Sequence, residues 1–188
     1  MEPVEINAGE YYLRAFRRDD RINDVPAIVE AFADEDTRRF LPRMGLHNEA
    51  AAEIFVDYLT AGWTYEQRVS WAVCDATTAE VLAGVVLRDL DLQMGVCEVT
   101  CWTQPAHRGR GVLTTALSST LAFAFGGLGV HRVAYRHATS NKASQRIAEK
   151  CGFTLEGRLR GETIVDDQRE DMMLWSRLAT DPAPEQLR

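Results

Sequence analysis

The sequence predicts a mixed α/β (α+β) domain in which a mostly antiparallel sheet of about seven strands is flanked by about four helices. Short apolar runs bounded by turn residues alternate with longer amphipathic segments along the 188 residues. Several neighbouring strands are joined by links short enough for hairpins. The apolar fraction of 46% and the charged fraction of 26% are those of a globular protein that can bury a core.

The individual elements follow from apolar periodicity and from residues that start or stop helices. Asp24 is placed to cap a first helix that begins at Val25, and Gly62 to stop a second. Either Ser140 or Asn141 is expected to cap the last helix. The predicted strands are 11–16, 70–75, 81–90, 96–102, 131–138, 153–160 and 169–178; the predicted helices start at 25 or span 49–61, 111–125 and 142–150.

Charge is distributed unevenly along the chain. Residues 99–148 contain no Asp or Glu and carry +6, so the remainder must carry −13 to give the overall −7. A basic segment inside an acidic chain favours a local site for a small anion over a nucleic-acid surface, although scattered solvated charge is an alternative. The basic residues are Arg108, Arg110, Arg132, Arg136, Lys142 and Arg146.

Other features exclude several classes of protein. The sequence has no apolar run near the ~20 residues of a membrane span, and its acidic N-terminus lacks a secretion signal, so we expect a cytoplasmic protein without membrane partners. The cysteines show no zinc-like spacing with histidines, and no metal is expected. We expect one domain over residues 1–179, followed by a tail at 180–188.

The most informative segment is Thr103–Leu117, where a strand ends, a glycine-containing loop follows and a helix starts. Gly109 and Gly111 let the chain approach a ligand closely, and the first turn of the helix presents unpaired N–H groups to an anion such as a pyrophosphate. The third glycine of a dinucleotide fingerprint and the Lys-Ser/Thr ending of a P-loop are missing. A plain turn with surface arginines is the alternative.

These residues resemble the GNAT superfamily of N-acetyltransferases, whose signature is [Q/R]-x-x-G-x-[G/A]. Arg108 and Gly111 fit this signature, whereas Leu113 replaces its final small residue. The resemblance covers nearly the whole chain, and the nearest subgroup is the ribosomal-protein N-terminal acetyltransferases of the RimJ/RimL type. It includes an N-x-x-S…GF arrangement at Asn141, Ser144, Gly152 and Phe153.

The resemblance implies a GNAT-like fold with splayed central strands. It also implies an enzyme that moves an acetyl group from acetyl-CoA to a primary amine by direct attack, on a protein N-terminus such as that of a ribosomal protein or on a small amine. A homodimer is expected on the same ground, and nucleic acid is not an expected partner. The cofactor-binding residues it implies are Trp102, Thr103, Gln104, Arg108, Gly109, Arg110, Gly111, Val112, Leu113, Thr114, Asn141 and Ser144.

Two side chains are candidates for the chemistry. Strand alternation places Glu98, Thr100 and Trp102 on one face of the strand. Glu98 is the candidate base, because a carboxylate three or four residues before the acyl end of the pocket could take the ammonium proton. A structural carboxylate is the alternative. The tyrosine that many GNAT enzymes use as the acid is replaced by Ala148. Ser144, one turn earlier, is the candidate acid, and a hydroxyl that stabilises the helix is the alternative.

Other functions stay open at this point. Leu113 and Ala148 leave the acyl pocket undefined, so another donor such as succinyl-CoA is an alternative, as is a non-catalytic CoA-binding sensor. A glycine-loop nucleotide-binding protein is a third. Groups for the acceptor are expected from the first two helices, the loop 34–47 and the hairpin around 166–168, where acidic residues favour a cationic acceptor.

Overall fold

The structure, a computed structural model, describes residues 1–42, 44–46 and 48–184. Residues 185–188 of the predicted tail, and Arg43 and His47 of the predicted acceptor loop, lie outside the described residues. The strands are β1 Ile6–Ala8, β2 Tyr11–Arg14, β3 Val69–Asp75, β4 Val81–Asp91, β5 Val96–Thr103, β6 Arg132–Ala138, β7 Thr154–Val165 and β8 Gln168–Leu178. The α-helices are α1 Val25–Ala33, α2 Glu35–Phe40, α3 Glu49–Thr64, α4 Val112–Gly126 and α5 Lys142–Lys150.

All of these strands lie in one sheet, in the order β1-β2-β3-β4-β5-β6-β8-β7. Neighbours are antiparallel except β5 and β6, which are parallel. The mixed, mostly antiparallel sheet is therefore confirmed, with one strand and one helix more than predicted. The additions are β1, which has three residues, and α2, which forms inside the predicted polar loop because Asp34 caps it by accepting from the Thr37 N–H.

Helices cover both faces of the sheet. On one face α4 and α5 pack over a core that includes Trp71, Val85 and Val99. On the other, α1 and α3 pack over Val86 and Trp102. Burying each large apolar side chain contributes about 1.5–3 kcal/mol, and these two cores fix the sheet on which the site is built. No helix in the described part of the chain is long and apolar enough to cross a membrane.

Two predicted helix signals act differently in the structure. Asp24 does not cap α1 through its side chain; it forms a buried, two-pronged ion pair with Arg14 at 2.7 and 2.8 Å instead. An unpaired buried guanidinium would destabilise the fold more than the loss of a helix cap, and Asp24 therefore pairs with Arg14. Gly62 does not end α3, which continues to Thr64. A Cβ at Gly62 would come within 2.1 Å of the Arg68 side chain, so the glycine makes room for that side chain.

Candidate active site

The sheet opens between its two parallel strands. Within the described residues, the β5–β6 ladder runs from Val96 opposite Arg132 to Val99 opposite Tyr135 and then stops. Beyond that point β5 continues to Thr103 on β4, and β6 continues on β8. The two arms enclose a cleft of about 490 Å³. The β5 edge beyond Val99 is thereby available to an extended ligand, which can bind by adding to a strand.

The glycine loop lies at one end of this cleft. Gly109 and Gly111 have φ values of 75° and 83°, a left-handed backbone that favours glycine. A Cβ at either position would meet no atom within 4 Å, so protein side chains do not fill the bend. Gly111 is the N-cap of α4 and supplies no side-chain cap, which leaves the first N–H groups of the helix to an anion. The predicted residues Gly109, Gly111, Val112, Leu113 and Thr114 all line the cleft.

Glu98 lines the same cleft and is almost completely buried. Its carboxylate is 2.5 Å from Arg88 Nη2 and 3.3 Å from Arg136 Nε. Arg88 also donates to Thr100 on the same face of β5. The predicted alternation of β5 is therefore correct, and the Glu98 carboxylate lies between two guanidinium groups. A cation that approaches Glu98 from the cleft would share the carboxylate with both of them.

Ser144 reaches the cleft from the opposite face, on α5. Its N–H donates to Asn141 Oδ1 at 3.0 Å, so Asn141 is the cap of the helix, one of the two residues predicted for that role. Ser144 Oγ is 2.5 Å from the hydroxyl of Tyr135, which also lines the cleft. The sequence reasoning missed Tyr135, because only the strand pairing brings β6 under α5.

The fold and part of the sequence are shared with known acetyltransferases. Residues 11–154 match the acetyltransferase (GNAT) domain family. The chain belongs to this family. It is 31% identical over 98 residues to a candidate ribosomal N-acetyltransferase of Bacillus subtilis, YdaF, covering 52% of the chain and 54% of that protein. It is 29% identical over 68 residues to a spermidine N(1)-acetyltransferase of Vibrio cholerae, covering 36% and 39%.

These matches span about half, or less, of the length of the two curated relatives. Among solved structures, Mycobacterium smegmatis RimJ in complex with CoA-disulfide is similar with a TM-score of 0.81 at 20% identity, over 97% of this chain and 89% of that one. The GNAT fold with splayed central strands, predicted from the resemblance, is confirmed.

Three of the residues expected to bind the GNAT cofactor have other surroundings. Gln104 does not line the cleft, because its N–H donates to Leu82 O at 2.8 Å and its side chain to Ala27 O at 2.7 Å. Arg110 is exposed outside the cleft. Trp102 and Thr103 border the cleft, but the Trp102 indole packs in the core against aromatic side chains. Its partners are Phe16 and Phe32, with ring centroids 6.3 and 6.0 Å away.

Arg108 lines the cleft, but its guanidinium turns toward α2. It bonds to Asp34, lies 3.5 Å from Asp36 and donates to Thr37 Oγ1 at 2.9 Å. The positive charge that lines the cleft on the α5 side comes from Arg146 and Lys150, one helical turn apart. Arg146 belongs to the basic segment of the sequence analysis, and its i, i+4 spacing to Lys150 was the signal that could have added the lysine.

The part of the cleft where acceptor groups were expected is walled by α2 and the β7–β8 hairpin. Phe40, Leu41 and Pro42 line it from one side and Val165 from the other. Asp166 and Asp167 form a two-residue hairpin turn with positive φ values. An ion pair of 2.7 Å joins the two walls, from Arg39 to Asp166.

Titratable groups near the opening of the sheet are strongly desolvated. Burial raises the pKa of Cys101 and of Cys97 to about 12, so both thiols keep their protons at neutral pH. Burial lowers the pKa of His137, whose Nε2 accepts from Trp175 Nε1 at 2.9 Å. Among the described residues, no group of three or more His, Cys, Asp and Glu side chains is arranged to hold a metal ion.

Proposed function

We propose that this chain is an N-acetyltransferase that moves the acetyl group of acetyl-CoA to a primary amine by direct attack. As the acceptor we propose a protein N-terminal α-amine ahead of a small amine. One observation carries the proposal: the edge of β5 that is free of β6 beyond Val99 leads from the glycine loop toward Glu98 and Ser144, and all of them line one cleft. The CoA-disulfide bound to RimJ supports the donor, and the ribosomal assignment of YdaF supports the acceptor.

The grip on the donor is assigned mainly to the main chain. The N–H groups from Gly109 to Thr114 hold the pyrophosphate, with charge from Arg146 and Lys150. The β5 main chain at Trp102 and Thr103 pairs with the pantetheine arm, and Asn141 remains a candidate contact to it. We also propose that residues 1–179 form one domain around this site.

The chemistry is assigned to two side chains and the strand edge. Glu98 takes the proton of the acceptor ammonium, directly or through water, so that the neutral nitrogen attacks the thioester carbonyl carbon. An N–H of β5 stabilises the oxyanion. As the C–N bond forms and the C–S bond breaks, Ser144 gives its proton to the sulfur.

The charges of the acceptor half favour an α-amine over a polyamine, a revision of the cationic acceptor suggested by the acidic residues alone. The carboxylates there already have arginine partners: Glu98 has Arg88 and Arg136, and Asp166 has Arg39. A polycation would have to displace these guanidinium groups. An N-terminal peptide brings one ammonium group, so only Glu98 would have to exchange part of its pairing for it.

The test is a screen for thiol release from acetyl-, propionyl- and succinyl-CoA with N-terminal peptides and with spermidine. We expect turnover with acetyl-CoA and N-terminal peptides, and less with spermidine. Tight CoA binding without turnover on any amine would favour the sensor. Better protection against melting by ATP or NAD than by CoA would favour a nucleotide-binding protein. The homodimer and the cytoplasmic location stay predictions.

A further inference from the structure

Tyr135 occupies the point at which the sheet divides. It is the last β6 residue in the ladder with β5, opposite Val99. The side chain is 3% exposed, and its ring packs on Phe153 with centroids 5.4 Å apart. The hydroxyl is therefore held at the apex of the cleft, 2.5 Å from Ser144 Oγ.

A third group, the Cys101 thiol, lies within reach of the Tyr135 hydroxyl. Cys101 Sγ lies 3.8 Å from the Tyr135 hydroxyl, and its thiol keeps its proton because burial raises its pKa to about 12. If the thiol donates to Tyr135, the Tyr135 hydroxyl hydrogen points at Ser144 Oγ. Ser144 Oγ then accepts one hydrogen bond, and its own hydrogen is directed into the cleft.

We propose that Tyr135 is a positioning residue that aims Ser144 and restores its proton, an inference that rests on the acid role proposed for Ser144. Ser144 gives its proton to the sulfur as the C–S bond breaks. The Tyr135 proton moves to Ser144 Oγ in the same event, and Tyr135 takes a proton from solvent at once, because burial opposes a lasting phenolate. From ammonium to amide the acceptor nitrogen releases two protons, the first to Glu98 and the second to water, and the sulfur gains one. Each turnover therefore releases one proton to solvent.

The first measurement is a double-mutant cycle on the turnover reaction. Y135F removes the hydroxyl and keeps the ring, and Y65F, on an exposed tyrosine of the α3 C-cap, is the matched control. We expect Y135F to lower kcat about 10-fold, less than the loss of a general acid, with little change in KM for acetyl-CoA. In the S144A background the same change should cost less than about twofold, because the tyrosine acts through the serine.

The second measurement is binding alone, so it separates this inference from the proposed function. Calorimetry compares CoA with desulfo-CoA on wild type, Y135F and S144A. We expect wild type to favour CoA about fivefold, as one hydrogen bond to sulfur would give, and both variants to bring the ratio near one. If the proteins show this binding pattern but wild type has no turnover, the proposed enzymatic function is overturned and the pairing of Tyr135 with Ser144 is kept.

Three results would overturn the role of Tyr135. They are full kcat in Y135F, equal losses in the wild-type and S144A backgrounds, and a CoA preference in Y135F that matches wild type. A fall in kcat with a proportional rise in KM, together with a lowered melting temperature, would show that the hydroxyl has a structural role alone.

Discussion

The two halves of the cleft, one proposed for the donor and the other for the acceptor, are built from different parts of the chain. The donor half is built from main chain within a short segment, in which Gly109 and Gly111 set the backbone and α4 supplies N–H groups. The acceptor half is built from side-chain ion pairs between residues distant in sequence, such as Arg39 with Asp166 and Arg136 with Glu98. The residues that shape a main-chain site are neighbours in sequence. The partners of these ion pairs are brought together only by the fold.

The difference also determines which substitutions each half tolerates. Changes of side chain in the glycine loop leave its N–H groups in place, provided that the left-handed conformations survive. In the acceptor half the strongest constraint is at the buried Glu98, whose removal leaves Arg88 and Arg136 without their shared partner.

The largest effect is expected from E98Q. The change removes the proposed proton acceptor and leaves two guanidinium groups facing a neutral amide, so kcat should fall about 100-fold. The KM for acetyl-CoA should change little, because the donor half is untouched. E156Q is the matched control, since Glu156 pairs with Arg132 outside the cleft.

A comparison of E98Q with R88Q separates the two roles of Glu98. Loss of a base should lower kcat much further than loss of one of its two arginine partners. If R88Q and E98Q lose the same activity, Glu98 is a structural carboxylate.

A smaller effect is expected from G111A. A Cβ at Gly111 has room, but the residue must keep φ at 83°, at a cost of about 1–2 kcal/mol. The loop should relax away from its shape, and the KM for acetyl-CoA should rise about 5- to 20-fold with kcat less affected. G126A also places a Cβ in open space but without a positive φ, and it should behave as wild type. Equal KM values for the two variants would remove the loop from the donor site.

Much of the fold could be predicted because the signals are local. The helix at 142–150 has the predicted bounds, since its Asn141 cap and its periodicity lie within a few residues. The glycine loop, and the face of β5 on which Glu98 lies, were predicted for the same reason. The short strand β1 has too few residues to show a period, and α2 depends on a cap within a polar segment.

The placements that the sequence does not indicate share one cause, which is a partner far away in sequence. The guanidinium of Arg108, a charge expected beside the pyrophosphate, bonds to Asp34, 74 residues earlier. The main chain of Gln104, expected at the pantetheine arm, donates to Leu82 O, and its side chain reaches Ala27. The contact of Tyr135 with Ser144 depends on β6 lying beneath α5. No spacing rule identifies such pairs before the fold is known.

The smallest effect is expected where the two halves meet, at the bond between Arg108 of the glycine loop and Asp34. Burial opposes the charge on Asp34, but hydrogen bonds from Arg108 and Thr37 outweigh it and lower the pKa of Asp34 below its usual 3.8. A carboxyl whose pKa is lowered by folding stabilises the fold fully when the pH is above its pKa in the unfolded chain. It loses that contribution as the pH falls through its pKa in the folded protein. D34N keeps a good helix cap and removes only the charge.

Wild type should therefore exceed D34N in the free energy of unfolding by about 0.5–1 kcal/mol at pH 7. The gap should close as pH falls below about 3.8, toward the lowered pKa of Asp34. D36N, on a more exposed carboxylate at 3.5 Å from Arg108, should show a smaller gap. Because α2 walls the acceptor half, D34N should also raise the KM for the acceptor more than that for acetyl-CoA. If D34N changes only the acetyl-CoA value, Arg108 serves the donor half alone and the two halves are not joined through α2.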